Sequence, residues 1–334
     1  MPDSVSVTTN PSVAVLLATH NGARWLDRQI ETVLFQQRVA VRIFVSDDGS
    51  TDDTYKHLQR FAQDPRIVLL PTAPTQLGSA SANFQRLICD IGAMEFDYFA
   101  FCDQDDEWLP GRLALAIERL RSQGADGLSS SVTAFWPDGR ESLVFNAQPA
   151  TDWDYFGGGA GQGCSFVLTR RAMAWIREVL ISHREICRAI HYHDWLAYAL
   201  VRAKGWLWVY HPEPTLRYRQ HAGNEIGARG SFSAILLRHK RIASGWYGMQ
   251  LRTVAQIVER ACPSHVGAKW VLAMLGSESI VSRIRILSIA LKMRRAPLDR
   301  LVFVAYFLTG YLRARQKIKQ LPNRLSCLLT ATTN

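Results

Sequence analysis

The densest run of reactive side chains in this sequence is Cys102-Asp-Gln-Asp-Asp-Glu-Trp108, with carboxylates at 103, 105 and 106. Three such groups within four residues repel one another unless a cation sits among them. An oxygen-only donor set favours Mg²⁺ or Mn²⁺ over zinc, and such an ion commonly bridges the phosphates of a nucleotide. A second cluster, Ser46-Asp-Asp-Gly-Ser-Thr-Asp52, supplies acceptors suited to the imide N–H of uracil or thymine and to ribose hydroxyls. Thr19-His-Asn-Gly22 is a polar turn, and His191-Tyr-His-Asp-Trp195 adds another carboxylate, Asp194. The two histidines of that segment lack a third ligand at recognisable spacing, so zinc is not expected. Gly157–Gly163 carries no Gly-Lys-Ser/Thr and opens no helix after a strand, so it reads as a flexible loop that closes over a ligand, not a phosphate loop.

These clusters need elements to bring them together. Val13–Thr19, Val41–Val45, Arg66–Leu70 and Tyr98–Cys102 are short apolar runs that read as buried strands. Helical patterns separate them over about Arg24–Gln36, up to about Phe61 (capped by Ser50 or Asp52), and Ser79–Ile91. The resulting βαβαβαβ order predicts an α/β, Rossmann-like, mainly parallel sheet with helices on both faces, and ligands then bind at the carboxyl ends of the strands. Thr19/Asn21, Asp47/Asp48 and Asp103/Asp105/Asp106 each follow a strand's last apolar residue, so they gather along one edge. From 124 to 230 mixed short strands, a turn at Pro137–Arg140 and helices near 170–182 and 194–204 are expected.

At this point the residues resemble a known family. Val13–Gly22, Val45-Ser-Asp-Asp-Gly-Ser-Thr-Asp52 and Asp103-Gln-Asp-Asp-Glu-Trp-Leu-Pro110 together are similar to the nucleotide-binding half of the inverting family-two glycosyltransferases of GT-A fold, over about residues 12–225. Leu77-Gly-Ser-Ala-Ser-Ala-Asn-Phe84, His193-Asp-Trp195 and Tyr218-Arg-Gln-His-Ala-Gly-Asn224 further resemble the rhamnosyltransferase-like branch that builds bacterial surface polysaccharides such as lipopolysaccharide O-antigen.

The resemblance implies transfer of a sugar from a nucleotide diphosphate to an acceptor hydroxyl with inversion. The implied donor is dTDP-rhamnose, with UDP-sugars as the alternative, and the acceptor is a saccharide or a lipid-linked saccharide. By the same resemblance Asp48 binds the base, Asp103 the ribose region and Asp105 the metal, while Thr19, Asn21, Gly78 and Asn83 line the nucleotide-sugar site. Asp106 stands beside them. Asp194 is the implied general base, and His221 ligates the metal or touches phosphate with Arg219 beside it. Gly163-Cys164 matches the family's Gly-Cys before a strand, and Trp195 offers a flat wall to a sugar ring. The implied division is a nucleotide-binding half at about 12–123, an acceptor half at about 124–230, and a C-terminal region at 231–334.

Composition sets the remaining bounds. The 334 residues carry a net charge of +10. Residues 231–334 hold 17 Lys/Arg against three acids (Glu259, Glu278, Asp299), a balance of +14, so the rest of the chain carries −4. Such asymmetry points to a polyanionic partner. Leu236–Ile242, Ile280–Arg295 and Leu301–Lys319 mix apolar residues with basic clusters, the composition of helices at a membrane interface; a soluble helical subdomain or dimer interface is the alternative. Peripheral attachment on the inner face of the cytoplasmic membrane is therefore expected. The longest uncharged apolar stretch, Leu301–Leu312, has 12 residues, against the roughly 20 a spanning helix needs. Met1–Pro11 lacks the basic and apolar regions of an export signal, and six scattered Cys with no C-x-x-C pair suit a reducing cytoplasm. A nucleotidyltransferase would share the metal carboxylates but wants a basic glycine-rich loop after the first strand, which Thr19–Arg24 lacks. A nucleic-acid-binding protein is prompted by the sequence pI of about 9.5, without a helix-turn-helix or zinc-finger signature.

Overall fold

The computed structural model describes residues 10–91, 95–221, 240, 242–277 and 279–312. Strands and helices alternate through the first third: β1 (Ser12–Thr19), α1 (Ala23–Leu34), β2 (Ala40–Asp47), α2 (Thr54–Phe61), β3 (Ile67–Leu69), α3 (Ala80–Asp90) and β4 (Tyr98–Cys102). β1 pairs in parallel with both β2 and β4, and β2 pairs in parallel with β3. A strand flanked on both sides and covered on both faces must be apolar at every position, and Val13 to Leu17 are fully buried. Alternation sorts them: Val13, Val15 and Leu17 pack with Leu26, Ile30 and Val33 of α1, whereas Ala14, Leu16 and Ala18 join Phe84, Leu87 and Ile88 of α3.

The chain continues through β5 (Glu107–Trp108), α4 (Arg112–Gln123), β6 (Gly127–Phe135), β7 (Glu141–Val144), α5 (Asp154–Gly157), a 3₁₀ turn (Gly163–Ser165), β8 (Val167–Thr169), α6 (Arg170–Ser182), α7 (Arg184–Cys187), α8 (His193–Ala203) and β9 (Trp208–Arg219). The sheet order is β3-β2-β1-β4-β8-β6-β9-β5, with β7 on β6. Parallel pairing thus holds from β3 to β4, and the sheet is mixed beyond it. β8 runs antiparallel to β4 and β6, while β6 runs parallel to β9 with register shifts between Ser130 and Thr133. Facing those shifts, β9 carries Pro212 and Pro214, which lack the N–H a regular ladder requires. At the far end β5 pairs with β9, setting Glu107 opposite Arg217 and Trp108 opposite Leu216. That pairing carries the chain at Arg219–His221 back to the acidic turn 103–106.

The C-terminal region is helical over Trp246–Ala261, Val266–Gly276, Ile280–Arg285, Leu287–Leu291 and Pro297–Leu308. The expected continuous helix over Ile280–Arg295 is divided, with Ile286 ending one segment at φ −110° and beginning the next. Leu236–Arg238, His239, Arg241 and everything after Leu312 lie outside the described residues. Leu251, Val254, Val258, Val271, Phe303 and Phe307 belong to the same connected apolar cluster as Leu16, Phe84 and Trp195. No helix is long and apolar enough to cross a membrane among the described residues.

Candidate active site

At the ends of β1 and β2 the polar residues first satisfy one another. Thr19 donates to Asp47 Oδ1 (2.9 Å), and Asp47 also accepts from the Ser50 amide and hydroxyl (2.9 and 2.5 Å). Asn21, at φ 49°, accepts from the Thr51 amide at 2.8 Å, while its own amide donates to the Ser50 hydroxyl. Asp52 accepts from the amides of Thr54 and Ala23, and so ties together the first residues of α1 and α2; the N-cap of α2 is Asp53, without a side-chain cap bond, and not Ser50 or Asp52 as expected. Asp48 is buried, and its two oxygens accept from the backbone amides of Leu77 (2.5 Å) and Gly78 (2.8 Å). A carboxylate has about four acceptor positions, so these two bonds orient Asp48 and leave capacity for a ligand N–H. Buried Asn83 donates to the carbonyls of Thr19 and Ser46 (3.2 and 2.9 Å), which joins the two strand ends, and its Oδ1 has no protein partner. Gln104 locks the acidic turn to β1 by exchanging two hydrogen bonds with the His20 backbone, each 2.9 Å.

The turn after β4 is the electrostatic centre. Asp105 Oδ2 lies 2.6 Å from His221 Nε2, and the His221 ring stacks on Trp25 with centroids 4.1 Å apart. Asp103, Asp106 and Cys164 each bring a ligand atom within 4.8 Å of the others. Asp106 is fully buried; that burial, and then the charges of Asp105 and Asp103, hold its carboxyl well above the usual carboxylate range. Its Oδ1 accepts from the Arg219 amide at 3.1 Å, and its Oδ2 has no hydrogen-bond partner. Burial, and next the charge of Asp106, push the Cys164 thiol well up. Crowded carboxylates, an orphaned buried oxygen and an imidazole beside Asp105 fit a hard divalent cation held by O and N atoms.

Asp194, in the first turn of α8, accepts from the Trp195 amide at 2.7 Å. Gly163 abuts it: a Cβ on that glycine would sit 2.8 Å from Asp194 Cβ and 3.2 Å from Oδ2. Cys164, the next residue, belongs to the acidic cluster. Two consecutive residues of one 3₁₀ turn therefore touch Asp194 on one side and Asp103/Asp106 on the other, which sets all of them around one site.

Trp195 is placed differently from the expectation. Trp195 offers no wall to a sugar ring: it is 3% exposed, its indole N–H donates to the Tyr155 carbonyl, and its ring stacks on Tyr247. Arg219 is committed to the acidic turn, with Nε on the Asp105 carbonyl (2.8 Å) and a terminal nitrogen on Glu107 (2.9 Å). The glycine-rich segment is fastened at several points. A Cβ on Gly157 would meet the Met293 carbonyl at 1.8 Å, the Gly157 carbonyl accepts from Tyr247, Ala160 O accepts from Ser129, and Gln162 bonds Asn146. Its glycines serve close backbone approach. Two arginines outside the expected set are engaged within the protein, Arg86 with Ser46, Pro71 and Asp90, and buried Arg112 with Trp108 and the Cys164 carbonyl (2.5 Å). Trp25 and Gln104 escaped the reading of the sequence, since their roles depend on partners 196 and 84 positions away.

Comparison with known proteins meets this geometry. Residues 14–143 match the family model described as glycosyl transferase family 2. The dTDP-rhamnosyl transferase RfbG of Shigella flexneri is 35% identical over 240 residues, 72% of this chain and 83% of the relative. The chain belongs to glycosyl transferase family 2. The succinoglycan biosynthesis protein ExoO of Rhizobium meliloti is 32% identical over 136 residues, 41% of this chain and 37% of the relative. Among solved structures, S. aureus TarS 1–349 in complex with UDP-GlcNAc superposes with a TM-score of 0.56 at 11% identity, covering 90% of this chain and 89% of TarS. That likeness shows a shared GT-A fold. The protein is thus a glycosyltransferase, and the strand-end carboxylates lie on the edge where an open α/β sheet binds its ligand.

Proposed function

We propose that this glycosyltransferase moves L-rhamnose from dTDP-rhamnose to a hydroxyl of a saccharide or lipid-linked saccharide, with inversion at the anomeric carbon. The supporting observation is the 3₁₀ turn Gly163–Ser165, which sets Asp194 across from Asp103 and Asp106. The RfbG relative supports the donor. Asp48 accepts the imide N–H of the base, and Asp103 receives the ribose. Asp105 and His221 hold Mg²⁺ or Mn²⁺; when bound, the ion offsets the charge gained by the departing diphosphate. Asp194 takes the proton from the acceptor hydroxyl as its oxygen attacks the anomeric carbon opposite the diphosphate, and this single displacement inverts the centre. Gly163 lets Asp194 approach, and Gln104 keeps the acidic turn in register with β1. Buried free thiols at Cys102, Cys164 and Cys187 suit a cytoplasmic location, and the basic C-terminal third suits a peripheral position at an anionic membrane.

The test is transfer from dTDP-rhamnose and from UDP-sugars by the wild type, Asp105→Ala and Asp194→Ala, with calorimetry of dTDP and UDP with and without Mn²⁺. Both variants are expected to lose transfer, and only Asp105→Ala to lose Mn²⁺-dependent nucleotide binding. Wild-type turnover by Asp194→Ala would remove it as the base, and UDP binding in preference to dTDP would favour a UDP-hexose donor.

A further inference from the structure

Ten of the seventeen large apolar side chains exposed among the described residues fall between 266 and 311. They recur at helical spacing: Val266 and Trp270 on one helix, Ile280 and Ile284 on the next, Leu298 and Leu301 on the last. The helix Pro297–Leu308 is apolar on two sides. Phe303 and Phe307, each 3% exposed, fill the core, while Leu298 (72%) and Leu301 (66%) face outward. Val266–Gly276 repeats the arrangement, burying Val271 and Met274 while exposing Trp270. A helix with apolar residues on both its inner and its outer side belongs in a core or against lipid, and exposed apolar residues repeated on successive helices supply the side chains of an interaction surface.

We propose that this outer face of the C-terminal helices docks on an anionic lipid bilayer. Charge decides between the occupants. Residues 231–334 carry 17 Lys/Arg and three acids, so a second copy would press like charge against like. Five of those 17 Lys/Arg, and none of the acids, lie in the segment after Leu312, which makes that segment an equally poor cover. An anionic bilayer accepts both the apolar side chains and the basic ones, each Lys/Arg near its surface strengthening binding about fivefold. Trp270 beside exposed Lys269 is suited to the headgroup boundary. The proposal gives a surface to the peripheral position suggested above, and it is independent of the transfer reaction.

The experiment is flotation of the full-length protein with phosphatidylglycerol or phosphatidylcholine vesicles at low and high salt, needing neither donor nor acceptor. Wild type is expected to float with phosphatidylglycerol and to be largely released by salt. The double variant Leu298→Glu/Leu301→Glu, altered at two exposed positions, is expected to lose partitioning by at least about tenfold, with melting temperature and nucleotide binding unchanged. Wild type left unbound by phosphatidylglycerol, or a double variant that floats as well as wild type, overturns the proposal. So does sedimentation showing a wild-type dimer that the double variant dissolves, because a second copy would then cover the face.

Discussion

Gly163 and Asp194 meet with no room for a methyl group: a Cβ on the glycine would lie 2.8 Å from the Asp194 Cβ. Real Cβ atoms do not approach that closely, so Gly163→Ala must displace the aspartate. A misplaced reacting group costs roughly 10²-fold in rate. The expected outcome is a fall of that order in kcat with donor affinity retained, read from steady-state kinetics and nucleotide calorimetry.

Trp25 lies face to face with the His221 ring, whose Nε2 meets Asp105. With His221 as the proposed metal ligand, loss of its outer partner is expected to lower metal affinity about 10–100-fold. Trp25→Ala is expected to weaken Mn²⁺-dependent dTDP binding by that factor, with metal-free nucleotide binding little changed. Trp25→Phe, which keeps a ring, is expected to restore most of it. Isothermal titration at several Mn²⁺ concentrations checks both.

His193 stacks on Phe84 at 3.8 Å, and its Nε2 has no partner. Burial pushes its pKa down from 6.5 to about 3. The unfolded chain therefore binds a proton that the folded chain refuses between those values; stability is full above the window and declines as pH falls through it. Between pH 7 and pH 5 this one group removes about 2 kcal/mol. His193→Phe is expected to flatten that decline, measured by urea unfolding at the two pH values; parallel losses in both proteins would count against His193 as the titrating group.

Tyr247 joins the C-terminal helices to the loop beside Asp194. Its hydroxyl donates to the Gly157 carbonyl and accepts from Arg294 at 2.5 Å, while its ring stacks on Trp195. Tyr247→Phe keeps the stack and strips both polar partners, at a cost of about 1–3 kcal/mol. A lower melting temperature and a lower kcat at unchanged nucleotide affinity are expected.

The alternation of strands and helices was legible because parallel strands leave continuous apolar runs. Tyr98–Cys102 is a strand with the expected bounds, and Arg170–Ser182 a helix with its own. The roles of polar side chains were harder to read. A sequence shows that Asn21 and Asn83 can donate and accept, but not that they tie Thr51 to β1 or one strand end to the next. For Gly157–Gly163 composition records only missing side chains, whereas the backbone that fills the space beside Gly157, at Met293, lies 136 residues onward. Trp195 and Asp194 are neighbours with opposite surroundings, a distinction set by how α8 rotates against Phe84 and Tyr247.

The single apolar cluster that runs from Leu16 to Phe307 has a consequence for synthesis. Translation delivers β1 nearly 300 residues before the helix Pro297–Leu308 that joins the same cluster, so a nascent chain already holding all the candidate site residues still exposes part of its interior until that helix emerges from the ribosome. Premature termination shortly before Pro297 would leave that interior open to chaperones and proteases, even though every candidate site residue would be present.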